Sequence, residues 1–185
     1  MRLILLSLVA VLAVTLIACD DGPVGGGVGK PALIAGYEYI NWAWGFHQEY
    51  GLIDERGSVW QLFPSVDDSL WVLDTLSAYT EDDFAKLLSG ADSLAIRLPG
   101  HEVRAIQRLA GPVSADSITD CEWTASDAGI LQTFLFVRNS RQVTFRRALL
   151  YQLGDQSCHN VHPSAALLDS IIMKYHLRED NDPEP

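Results

Sequence analysis

Hydrophobic and polar positions change their rhythm several times along the chain, and each rhythm predicts an element. Residues 37–63 alternate with period two: Ile40, Trp42, Trp44 and Phe46 on one side, Tyr39, Asn41, Ala43 and Gly45 on the other. Such alternation is the mark of a half-buried strand. Asp54-Glu55-Arg56-Gly57 supplies turn chemistry, and Val59, Trp60, Leu62 and Phe63 resume the pattern, so the segment reads as two strands around a turn. From Asp127 to Asp155 a second, longer hairpin is expected, turning near Asn139-Ser140, with Val143, Phe145 and Arg147 alternating against Thr144 and Arg146.

Three stretches carry helical spacing instead. In "AYTEDDFAKLLSGA", Thr80 is placed to cap a helix and acids at 81–83 suit its first turn. Tyr79 and Phe84 fall at staple positions, and Gly90 supplies a stop. "GHEVRAIQRLAGP" would bury Val103, Ile106 and one of Leu109 and Ala110, and would end at Gly111-Pro112. "HPSAALLDSIIMKYH" places Leu168, Ile171, Ile172 and Tyr175 at i, i+3, i+4 and i+7, with Pro163 at the first helical position. Hairpins and short helices in this order predict an α+β fold, an antiparallel sheet built from two hairpins with short helices packed on one face.

The N-terminus has another pattern. After Arg2, residues 3–18 carry no charge and only the hydroxyls of Ser7 and Thr15, a run that suits a secretory h-region better than a membrane span of about 20 apolar residues. It closes on Leu16-Ile17-Ala18-Cys19, which resembles the lipobox of bacterial lipoproteins: aliphatic, tolerant, small, cysteine. The resemblance implies cleavage before Cys19 and acylation of its thiol with two or more chains, enough for stable anchoring. An uncleaved anchor helix is the other reading of the run. "DDGPVGGGVGKP" then reads as a flexible tether, and its glycines do not make a phosphate loop, since Val24 and Pro31 occupy positions that need glycine and a hydroxyl. Four segments follow: signal peptide 1–18, lipidated cysteine and tether 19–35, one globular domain 36–177, and a disordered acidic tail 178–185. The order of "YEYINWAWG", turn, small helices, "DAG", "GD" and a terminal helix is similar to that of bacterial envelope lipoproteins to which no activity is attached. That resemblance carries no site residues.

Charge and cysteines narrow the choice of partner and compartment. A net charge of −11 speaks against nucleic acid and against an anionic lipid surface. With Cys19 acylated, Cys121 and Cys158 remain as an even pair for an oxidising compartment, where they are expected to bridge. The expected location is the cell envelope, lipid-anchored on the exported side of a membrane.

Signatures of catalysis are missing. There is no G-x-S-x-G elbow and no C-x-x-C, and His101-Glu102 is followed by Ala105 where a zinc helix needs histidine. Glu49 and Asp54 could form a carboxylate pair, and Cys158, His159 and His162 could converge on a metal, but a bridged Cys158 cannot ligate. No cofactor or metal is expected. The aromatic hairpin offers the best binding surface: Trp42 and Trp44 are expected to point into the core, leaving Tyr37, Tyr39 and Trp60 as ligand-binding residues. Arg138, Arg141, Arg146 and Arg147 are a basic concentration that reads as a solvated hairpin tip or an acidic partner's patch. The leading expectation is a membrane-tethered, non-catalytic module binding a protein or glycan. The alternatives are an enzyme on envelope polymers or secreted substrates, with an acid pair not identifiable from sequence, and a structural lipoprotein with no separate ligand.

Overall fold

The computed structural model describes residues 32–43, 45–64, 78–124, 126, 129–139 and 141–176. The lipobox, the tether as far as residue 31, Trp44, Ser140 and the acidic tail lie outside them. Among the described residues there are eight strands: β1 (Leu33–Asn41), β2 (His47–Asp54), β3 (Ser58–Leu62), β4 (Asp92–Arg97), β5 (Glu122–Trp123), β6 (Ile130–Asn139), β7 (Thr144–Gly154) and β8 (Gln156–His159). The helices are α1 (Glu81–Ser89), α2 (Gly100–Ala115) and α3 (Ala165–His176). The strands form one sheet in the order β4-β3-β2-β1-β6-β7-β8-β5, antiparallel throughout. The class is α+β, as the alternation and helical spacing predict.

The first half differs from the single hairpin expected. The chain turns twice, once through residues 42–46 and once at Asp54–Gly57, so β1, β2 and β3 make a meander. Asn41 drives the first turn: its side-chain oxygen takes the Ala43 N–H at 2.9 Å, and Gly45 adopts φ +108°. Asp54 builds the second, taking the N–H groups of Arg56 and Ser58 on one oxygen at 2.9 Å each. β1 also begins at Leu33, fully buried, inside the stretch read as tether.

Both faces of the sheet are apolar, and both are covered. Ala35, Tyr37, Ile53, Val59, Leu135, Ala148 and Leu150 pack against Val103, Ile106 and Val113 of α2 and Leu168, Ile172 and Tyr175 of α3. On the opposite face Leu52, Leu62, Phe134, Phe136 and Phe145 pack against Phe84 and Leu87 of α1. Helices on one face only is therefore wrong. The alternation of β6, with Phe134 and Phe136 on one side and Leu135 on the other, leaves two apolar surfaces to bury. Tyr79 carries α1 to the far face through paired 2.7 Å backbone bonds with Phe145.

α1 follows its sequence signals closely. Thr80 Oγ1 accepts the Asp83 N–H at 3.2 Å, the Asp83 carboxylate accepts the Thr80 N–H at 2.7 Å, and Tyr79 stacks on Phe84 at 6.2 Å. The Thr80 hydroxyl also donates to the Asp83 carboxylate at 2.7 Å, and that bond first, then the one from the Thr80 N–H, holds the Asp83 carboxyl below the usual range. α2 runs one turn past Gly111-Pro112, because its last turn is held from outside: Val113 is fully buried, its carbonyl accepts from Asn160 Nδ2 at 3.0 Å, and the Ser114 carbonyl accepts from Arg146 at 2.7 Å. α3 starts at Ala165 rather than Pro163, after a turn in which His162 Nδ1 accepts the Ser164 N–H at 3.1 Å. Leu168, Ile171, Ile172 and Tyr175 are all buried, as their spacing requires. Glu102 joins α2 to α3 through Lys174 Nζ at 2.7 Å and the Tyr175 hydroxyl at 2.5 Å. Burial raises its carboxyl, but those two hydrogen bonds and the charges of Lys174 and His101 outweigh burial and leave it lowered. Cys121 and Cys158 are bridged, with Cα atoms 4.5 Å apart, fastening the residue just before β5 to β8, the strand with which β5 pairs.

Candidate functional site

The covering of the α2/α3 face stops at a definite row. Thr133, Tyr37 and Gly51 lie side by side across β6, β1 and β2. α3 closes over this row: Asp169 accepts the Thr133 hydroxyl at 2.5 Å, and His176 meets the Tyr37 ring edge-on at 4.6 Å. Gly51 is required there, since a Cβ at that position would fall on the Tyr37 ring.

Two residues further along each strand, on the same face, comes a row that α3 does not close. Leu153, Leu131, Tyr39 and Glu49 are successive cross-strand partners on β7, β6, β1 and β2. Phe63, just past β3, continues the row: the rings of Tyr39 and His47 lie 5.8 Å apart, and those of His47 and Phe63 6.4 Å. Phe63 is 55% exposed and Leu153 47%. The result is a shelf of apolar and aromatic side chains, crossed by one carboxylate, with α3 as a wall on one side. Beyond it, the β1–β2 turn carries Trp42 and Phe46, whose rings stand 4.7 Å apart.

Glu49 is the polar centre of the shelf. Its Oε1 accepts the Tyr37 hydroxyl at 2.8 Å and Gln61 Nε2 at 3.5 Å, while Oε2 stands 4.0 Å from His47 Nε2. The carboxylate is therefore fixed from below and keeps one oxygen toward the exposed imidazole side. Tyr39 accepts Asn41 Nδ2 at 2.9 Å on its hydroxyl oxygen, which leaves its own proton to give. On the α3 wall, burial raises the Asp169 carboxyl against the opposing hydrogen bond from Thr133. Also on that wall, His176 Nδ1 is buried without a hydrogen-bond partner among the described residues.

The residues expected to bind are only partly in this place. Tyr39 is on the shelf. Tyr37 is 1% exposed beneath α3, so it supports Glu49 and presents no ring to solvent. Trp60 is half-buried on the opposite face, with Nε1 donating to Asp54 Oδ2 at 3.0 Å. Trp42, expected in the core, is 59% exposed because β1 has already ended at Asn41; Trp44 lies outside the described residues. Phe63, His47, Gln61, Leu131 and Leu153 were not singled out from sequence, and cross-strand register alone brings them together.

Other expected constellations come apart. Glu49 and Asp54 point to opposite faces and are separated by five strand residues, about 16 Å at ~3.3 Å each, too far for a glycosidase pair at about 5–9.5 Å. The arginines make no single patch: Arg146 reaches the end of α2, while Arg147 pairs with Glu38 at 2.6 Å on the other face and lies 4.0 Å over the Phe134 ring. Cys158 is in the bridge, His162 caps the turn before α3, and among the described residues no three His, Cys, Asp or Glu side chains gather as a metal site. No helix among the described residues is long and apolar enough to cross a membrane. The chain matches no family model, and comparison with curated proteins and with solved structures found no match to it.

Proposed function

We propose that the protein is a lipid-anchored envelope lipoprotein whose domain is a non-catalytic binding module for a protein or glycan. The observation that carries the binding half is the partly open row on the α2/α3 face: the exposed rings of Phe63 and His47 and the partly buried ring of Tyr39, beside a carboxylate that is fixed by tyrosine and glutamine. Aromatic side chains with one apolar surface and adjacent polar groups are suited to recognition, and exposed apolar surface of this kind marks interaction sites. The anchoring half is supported by Leu16-Ile17-Ala18-Cys19 after an uncharged run.

Two experiments test it. Mass spectrometry of membrane-extracted protein should find an acylated N-terminus at Cys19, and Cys19→Ser should abolish that processing. A variant still cleaved before residue 19 and released would mean an ordinary signal peptide. For binding, the full anchored chain and its Phe63→Ala and Tyr39→Ala variants are used to retrieve envelope material, with protein and carbohydrate both analysed. Both variants should retrieve less; equal retrieval by all three refutes the shelf as a binding surface.

A further inference from the structure

Resting on the reading of the shelf as a binding surface, we infer that its ligand is an oligosaccharide, uncharged or amine-bearing, lying along the row Leu153–Leu131–Tyr39–Glu49–Phe63. Three observations favour sugar over peptide. The first is shape. The row crosses five adjacent strand positions, about 19 Å at ~4.8 Å per strand, the length of roughly four linked sugar rings. The row runs across the strands beside α3, so an extended chain lying along it meets side chains. The five strands that it crosses each have a neighbour on both sides in the sheet, whereas a peptide bound by strand addition needs an unpaired edge.

The second is the mixture of groups. Sugar rings present apolar C–H faces and equatorial hydroxyls in alternation. Flat rings take the former, and planar hydrogen-bonding groups beside them take the latter. Tyr39, His47 and Phe63 supply the rings. Glu49 Oε2, the Tyr39 hydroxyl and the His47 imidazole supply hydrogen bonds within the same row. A protein hot spot instead centres on a desolvated pocket, whereas this row sets partly buried and exposed side chains side by side, with rings at its middle and at one end.

The third is charge. The ionisable groups that face the floor are Glu49 and His47 from β2 and Asp169 and His176 from α3, in a chain of net charge −11. An acceptor-rich floor suits hydroxyl, amide or ammonium donors and repels uronate or sulfate.

The test is titration of the full chain in detergent, followed by tryptophan fluorescence and by equilibrium dialysis. The probes are cellotetraose and the tetramers of N-acetylglucosamine, glucosamine and galacturonate. At least one uncharged or amine-bearing tetramer should bind, its monosaccharide should bind more than tenfold more weakly, and galacturonate should not bind. Phe63→Ala and Glu49→Gln should each lower affinity roughly 5- to 100-fold. For Phe63→Ala the melting temperature should hold, which separates lost contact from lost fold. If no tetramer binds at millimolar concentration, the oligosaccharide is refuted. Should retrieval of envelope protein still depend on Phe63 and Tyr39, the surface stands and its ligand is a protein. If neither dependence is found, both readings fall together. Galacturonate binding as well as the neutral tetramers overturns the charge argument and with it the ligand class.

Discussion

Replacing Gly51 by alanine adds one methyl group where the Tyr37 ring already lies. Tyr37 is 1% exposed, its edge meets His176 at 4.6 Å, and its hydroxyl is held by Glu49 at 2.8 Å. The ring cannot move aside without losing one of these. Overpacking of this kind costs about 1–3 kcal/mol, and a displaced hydroxyl adds about 1 kcal/mol for the lost hydrogen bond. Against that, alanine in a strand gains about 0.5–1 kcal/mol over glycine in backbone entropy. The net expectation is a loss of about 1–3 kcal/mol. Gly111 in α2 is the control, because a Cβ there meets nothing within 4 Å and alanine should stabilise the helix by up to about 1 kcal/mol. The same chemical change should thus have opposite signs at two sites. Urea unfolding of the two variants should separate them by about 2–4 kcal/mol, or roughly 5–15 °C in Tm. In a Tyr37→Ala background the Gly51→Ala cost should vanish. Variants that agree within about 0.5 kcal/mol would refute the packing of Tyr37 on Gly51, and with it the account of how Glu49 is held.

Further expectations concern the rest of the fold. Replacing Cys121 and Cys158 by alanine opens a loop of 37 residues, and should cost about 3–4 kcal/mol on the chain-entropy account, read by unfolding beside non-reducing peptide mapping. Glu102 and Asp169 should give opposite pH dependences. The lowered Glu102 carboxyl contributes stability that is present above the unfolded-state value and lost as pH falls through the folded one, so Glu102→Gln should flatten the acid limb. The raised Asp169 carboxyl favours the folded state while protonated, so stability falls as pH rises from the unfolded value through the folded one, and Asp169→Asn should remove that fall. Trp42→Ala should alter stability by no more than about 0.5 kcal/mol, where a core tryptophan would cost about 3–5 kcal/mol; the larger loss would return Trp42 to the core.

What could be read from sequence divides along physical lines. α1 was legible because its signals are local: Thr80 bonds Asp83, Tyr79 stacks on Phe84, and the Gly90 N–H donates to the Leu87 carbonyl, all within twelve residues. The apolar spacing of α3 was legible for the same reason, although its start was misplaced by the turn that His162 builds. The aromatic segment misled because its alternation continues through a reversal of the chain. Asn41 and Gly45 are turn residues, but tryptophans at 42 and 44 preserved the period across them. Pro112 misled in the other direction, since the contacts that carry α2 beyond it come from Arg146 and Asn160, far along the chain. The shelf was illegible for a deeper reason. Leu153, Leu131, Tyr39 and Glu49 come from four strands, and the β1–β6 pairing, about a hundred residues apart in sequence, is what joins the two sequence-local pairs into one row.

That pairing also decides how the domain would carry a mechanical load. β1 lies between β2 and β6 and is antiparallel to both. The chain enters the sheet at Leu33, and the shelf row crosses the same strand at Tyr39, six residues on, about 20 Å away at ~3.3 Å per residue. A pull between an N-terminal anchor and a ligand held by the shelf residues of β2 and β6, Glu49 and Leu131, would load β1 along its own axis against both neighbours. Its flanking hydrogen bonds would then be strained side by side rather than opened one after another, so the domain should yield to such tension only when many of them fail at once.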